Sequence, residues 1–173
     1  MKETIKTYKQ RELKEIIGEI YSALTDFNEK DSFLLHVGAS ERALTHKLAV
    51  YLESRFPDWD VDCEYNRDRE NPKRAEKEDL MLPDIIVHQR GQCNNLFVIE
   101  AKKNLKPSEE DVIKLKELTS SDRNFKYTFG FFIQFNNNSH HDVILFRNGN
   151  LVSTIPNAPV KRAIFLEGLN VNE

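Results

Sequence analysis

The sequence predicts a mixed α/β domain. Helical and strand periodicities alternate along the chain, and strand-like segments lie on both sides of a central helix. At 173 residues, 39% hydrophobic and 31% charged, the chain can bury one core and has no compositional bias towards disorder. The expected unit is a single domain spanning residues 1–173.

Leu13, Ile16, Ile17, Ile20, Leu24 and Phe27 recur at helical spacing, with charges between them. They predict a helix over about 9–27. A second helix is predicted over about 40–55, with Ser40 as N-cap and Pro57-Asp58 beyond its end. Trp59, Val61, Cys63 and Tyr65 alternate with polar residues and predict a strand over about 59–66, with Glu64 on the solvent side. Residues 66–79, NRDRENPKRAEKED, combine dense charge with a proline and predict a mobile loop. Two strands follow, at about 83–90 and 95–103, joined by the turn-rich GQCNN. Pro107 and Ser108 open a helix of about 108–120, with Val112, Leu115 and Leu118 as its apolar positions. The run KYTFGFFIQF, about 126–135, predicts a strand buried on both faces. NNNSHHD is a loop, and VILF-RNGN-LVSTI predicts a hairpin on an Asn-Gly turn.

Several classes of function are disfavoured. The apolar stretches are too short for a membrane span, and MKETIKTYKQ lacks the apolar core of a signal peptide, so the expectation is a cytoplasmic protein with no membrane partner. Cys63 and Cys93 make neither a disulfide framework nor a zinc site. There is no Gly-rich phosphate loop and no HExxH pattern among His36, His46 and His88. His140 and His141 read as part of a polar loop. The net charge of −3 does not describe a generally basic nucleic-acid binder, although a local basic patch is what meets phosphate.

Leu82-Pro83-Asp84-Ile85-Ile86-Val87 and Phe97-Val98-Ile99-Glu100-Ala101-Lys102 carry the chemistry. Side chains alternate along a strand, so Glu100 and Lys102 share a face with Val98, and Asp84 starts the neighbouring strand. Ionised groups among apolar strand residues are costly unless they are paired or metal-bound. Two carboxylates are the hard oxygen ligands that magnesium prefers, and a lysine two residues on can reach the same water or phosphate oxygen. Glu41 stands three, seven and eleven residues before Leu44, Leu48 and Leu52, on the inward face of its helix. A metal would partner it there, and the helix dipole also favours a first-turn glutamate.

Pro83-Asp84, fifteen further residues and then Glu100-Ala101-Lys102 resemble the PD-(D/E)xK motif of restriction-endonuclease-like nucleases. The resemblance implies a mixed-sheet core of order α-β-β-β-α-β over about 40–135, with an added N-terminal helix and C-terminal hairpin. It implies a divalent-metal-dependent nuclease acting on DNA first and RNA second. Glu41, Asp84 and Glu100 would hold Mg2+, with Mn2+ able to substitute, and Lys102 would serve the nucleophile or transition state. The helix after the motif lacks the glutamine and tyrosine of the recombination-nuclease subgroup. Arg67, Arg69, Lys73, Arg74 and Lys103 are the candidate phosphate contacts, offset by acidic neighbours. No zinc finger or helix-turn-helix is present, so specificity would come from loops, a homo-oligomer or a larger assembly. The alternative is a catalytically silent subunit that keeps the fold for nucleic-acid binding or protein assembly.

Overall fold

A computed structural model describes the backbone of residues 2–65, 67–68, 71–72 and 82–155, with side chains at 13–65 and 82–155. The elements run α1 (Lys2–Asp31), α2 (Phe33–His36), α3 (Glu41–Glu53), β1 (Asp60–Cys63), β2 (Arg67–Asp68), β3 (Asn71–Pro72), β4 (Ile85–His88), β5 (Asn95–Lys103), α4 (Glu109–Thr119), β6 (Phe129–Phe135), β7 (Asp142–Arg147) and β8 (Asn150–Ile155).

One mixed six-stranded sheet has the order β1-β4-β5-β6-β7-β8, and β2 and β3 pair with each other in a separate antiparallel ladder. Within the main sheet, β5 and β6 are parallel and the other neighbours are antiparallel. A parallel pair needs a crossover, and α4 supplies it.

Strand alternation divides the core between two faces. Ile85, Val87, Phe97, Ile99 and Ala101 meet the apolar stripes of α1 and α3 on one face. Ile86, Val98, Phe132 and Phe146 meet Leu115 and Leu118 of α4 on the other. Glycine at 130 allows α4 to lie this close, because a Cβ there would come within 2.9 Å of Thr119 Cγ2 and 3.3 Å of Leu115 Cδ2. The hairpin turn is Asn148-Gly149, both at positive φ (51° and 74°), as the Asn-Gly pair predicts.

The structure corrects several readings of the sequence. The first helix is longer than its apolar stripe, and α2 had no periodic signal. β1 is shorter than expected. Glu64 adopts a φ of 49°, which breaks the alternation: Trp59 and Val61 pack towards α1 and α3, while Tyr65 packs on the α4 side. Cys63 is exposed rather than inward. The expected mobile loop includes the β2–β3 ladder, and the rest of that segment lies outside the described residues.

His141 is not a surface loop residue. It is fully buried against Phe27 and Phe135. Its Nδ1 accepts from Asn136 N at 3.1 Å, so Nε2 carries the proton and donates to Asn28 Oδ1 at 2.8 Å. The ring thereby ties α1 to the β6–β7 loop in the neutral form. Among the described residues, no helix is long and apolar enough to cross a membrane.

Two outcomes are expected. Gly130→Val should lower stability by about 1–3 kcal/mol through overpacking beneath α4, read as the urea midpoint. An unchanged midpoint would contradict the close approach. Burial, then the neighbouring His140, pushes His141 down to about 4 from an ordinary 6.5. Below pH 6.5 the unfolded chain takes up a proton that the folded chain refuses. Stability is therefore level above 6.5 on this group's account and falls by roughly 3 kcal/mol as pH drops towards 4. His141→Gln should flatten that part of the stability–pH curve.

Candidate functional site

β5 runs past the start of β4, and the candidate site lies at this mismatch. Ile85 opens β4 opposite Ile99, so the edge of β5 beyond that point has no β4 strand residue to accept its N–H groups. Asn104 N donates towards β6, to Phe135 O, so the odd-numbered amides point to the opposite edge. Side-chain carboxylates take them. Asp84 Oδ2 accepts from Ala101 N at 2.8 Å, and Glu41 Oε1 accepts from Lys103 N at 3.0 Å. Those two amides are two residues apart, roughly 7 Å at the rise of a strand.

Local sequence explains both placements. Pro83 has no N–H to offer the ladder, and the pairing of β4 begins two residues later. Ser40 caps α3, its side chain accepting from Ala43 N, which puts Glu41 in the first turn. Leu44, Leu48 and Leu52 are fully buried, and Glu41 lies on their stripe, so its carboxylate is carried to the sheet edge.

Continuing the β4–β5 register by one residue sets Asp84 opposite Glu100. Both are on the α4 face, by alternation with Ile86 and Val98. Glu100 is only 3% exposed. Its Oε2 accepts from Lys114 Nζ of α4 at 2.9 Å, while its Oε1 is buried and has no hydrogen-bond partner among the described residues. Lys114 Nζ also donates to Leu82 O at 2.6 Å. Lys102 shares the face of Glu100, but its ammonium is turned to Asp111 Oδ1 at 3.8 Å. Asp111 is meanwhile fixed by the α4 capping box with Ser108.

The electrostatics follow from this crowding. Burial, then the Asp84 carboxylate, pushes Glu100 up to about 8 against the opposing pull of Lys114. Burial likewise raises Asp84 above the usual carboxylate range, against the Ala101 amide and the charges of Lys114 and Lys102. Two acids face each other in a poorly solvated place, and among the described residues Glu100 Oε1 has no hydrogen-bond partner.

Glu100 and Lys102 therefore share one face of β5, and Asp84, in the residue before β4, brings its carboxylate close to Glu100. Glu41 stands farther along the same edge of β5 and comes from the α3 side. Among the described residues, no three His, Cys, Asp or Glu side chains converge closely enough to hold a metal ion together. Lys103 is turned from the Glu100 face, and its Nζ donates to Ala39 O at 3.0 Å. The side chains of Arg67, Arg69, Lys73 and Arg74 lie outside the described residues. His88, on the Asp84 face, lies with Nε2 at 2.8 Å from Asp62 Oδ2, which Arg90 also engages. It is not part of the carboxylate pair.

Sequence reasoning missed Lys114 and Asp111. The signal was the one used for Glu41: Asp111 precedes Leu115 by four and Leu118 by seven, and Lys114 precedes Leu118 by four. Both lie on or beside the inward stripe of α4. No family model matches the chain, and no curated protein is significantly similar to it.

A carboxyl whose folded pKa is raised favours folding below its unfolded value and loses that advantage as pH rises through the folded one. For Glu100 the window runs from 4.5 to about 8. The urea midpoint of Glu100→Gln should therefore gain on that of the wild type across this window. A difference that does not change with pH would contradict the burial of an ionisable group here.

Proposed function

We propose that the chain is a divalent-metal-dependent nuclease of the restriction-endonuclease-like, PD-(D/E)xK type, hydrolysing phosphodiester bonds in DNA. The observation that carries this reading is the Asp84–Glu100 pair: two neighbouring carboxylates, one just before β4 and one in β5, with Glu100 Oε1 buried and without a hydrogen-bond partner among the described residues. The order α3, β1, β4, β5, α4, β6 supports it, with α1 and the β7–β8 hairpin as additions to that core.

The donor set fits Mg2+ or Mn2+, which take hard carboxylate oxygens and keep several waters. Asp84 and Glu100 would hold the ion, with Glu41 the next carboxylate along the edge. A bound divalent ion lowers the pKa of water and offsets the charge that gathers on the phosphate. Asp84 stays oriented because one of its oxygens is tied to Ala101 N. Lys102 is about one-third exposed and only loosely paired, so its ammonium can turn to a phosphate oxygen and stabilise the charge developing there. Its fellow cation Lys114 is held by Glu100 and Leu82 and cannot turn in the same way without breaking both contacts.

One observation favours the silent-subunit reading. Lys102 and Lys114 pair with Asp111 and Glu100, an ion-pair network of the kind that serves stability alone in a silent subunit. Cleavage separates the two readings. With Mg2+ or Mn2+ the purified chain should nick or degrade one or more of single-stranded, double-stranded and branched DNA, with RNA as the control. Asp84→Ala and Glu100→Ala should lose metal affinity and rate together. Lys102→Ala should retain metal and lose about 100-fold or more in rate. Calcium should support binding without cutting. Equal cleavage by the Asp84 and Glu100 variants would sink the assignment, and a clean preparation that binds DNA but cuts nothing would favour the silent subunit.

A further inference from the structure

Lys114 is the charge at this site that the motif does not account for. Its ammonium is held by Glu100 Oε2 at 2.9 Å and by the Leu82 carbonyl at 2.6 Å. A carboxylate oxygen and a main-chain carbonyl are the kind of ligands a hard divalent ion takes. Leu82 lies two residues before Asp84, so one ammonium spans the approach to β4 and the end of β5. It is not a loose surface lysine. α4 presents it, and α4 is seated on the sheet over Gly130 by Leu115 and Leu118.

The two oxygens of Glu100 are thus sorted: Oε2 carries a built-in cation, and Oε1 is buried with no hydrogen-bond partner among the described residues. Charge points the same way. Asp84 and Glu100 bring two negative charges when ionised and Lys114 cancels one, which leaves too little negative charge for more than one divalent ion. Lys102 and Asp111 offset each other beside them.

We propose that the Lys114 ammonium occupies a cation position on Glu100, so that the site takes one divalent ion per chain, through Asp84 and Glu100 Oε1, and has no room for a second. The inference rests on the metal-dependent reading above. A second ion on Oε2 would have to displace an ammonium already within hydrogen-bond distance and would lack its share of negative charge.

Mn2+ titration of the full chain tests this without any substrate, with bound ion counted from the electron paramagnetic resonance signal of free Mn2+ and checked by calorimetry. Asp84→Asn sets the background of adventitious binding. One ion above background is expected for the wild type and for Lys114→Arg, which keeps the charge. Two are expected for Lys114→Met. Lys114→Gln, neutral but able to keep a hydrogen bond, gives the same count if the methionine variant fails to fold. Two ions in the wild type, or one in the folded neutral variants, overturns the proposal and leaves the metal-dependent reading standing. No ion above background in the wild type overturns both.

Discussion

A strand that outlasts its neighbour leaves main-chain N–H groups without a ladder partner, and a buried N–H must find an acceptor. Here β5 outlasts β4, and the acceptors are the carboxylates of Asp84 and Glu41. The placement of the acidic groups follows from that requirement. Asp84 is drawn to the edge at the point where its register sets it against Glu100, and Glu41 is drawn across from a different helix. Without the mismatch, Ala101 and Lys103 would bond to a longer β4 and neither carboxylate would be needed there. The site is built into the termination of a strand, where irregular pairing is tolerated.

The second constraint comes from the opposite layer. Glu100 points into the region covered by α4, and burial there leaves it with a single cation partner. That partner is correctly placed because α4 lies close to β6, which a side chain at Gly130 would prevent. The capping box at Ser108 and Asp111 fixes the start of the same helix and holds Asp111 opposite Lys102. Helix packing and site electrostatics are therefore not separable: a shift of α4 along the sheet would move Asp111 and Lys114 away from their partners together.

Much of this was legible in the residues. Period-two alternation is rigid within a strand, so the shared face of Glu100 and Lys102 could be read from spacing, and the Leu44-Leu48-Leu52 stripe pointed Glu41 inward. Asn148-Gly149 announced its own turn through positive φ. What failed did so where tertiary contacts override local pattern. Glu64 leaves the strand conformation and reverses the side of Tyr65. His141 sits in a polar stretch yet is buried, because Asn28 and Asn136, far apart in sequence, satisfy both ring nitrogens. Lys114 was hidden because lysine on a helix ordinarily reads as a solvated face, and its partners are a strand carboxylate and a carbonyl that no spacing rule connects to it.

The anchoring of Asp84 and Glu41 on main-chain amides has a consequence for how such a site drifts over generations. The side chains of Ala101 and Lys103 contribute nothing to the two hydrogen bonds, which are made by atoms that almost every residue type supplies. At either position proline alone would delete the donor itself. Other exchanges act on the anchors only through packing, which confines Ala101, buried against α1 and α3, to small residues and leaves the half-buried position 103 the freer of the two. The spacing of the Asp84 and Glu41 carboxylates is thus set by the rise of the strand and not by the chemistry of the side chains at 101 and 103.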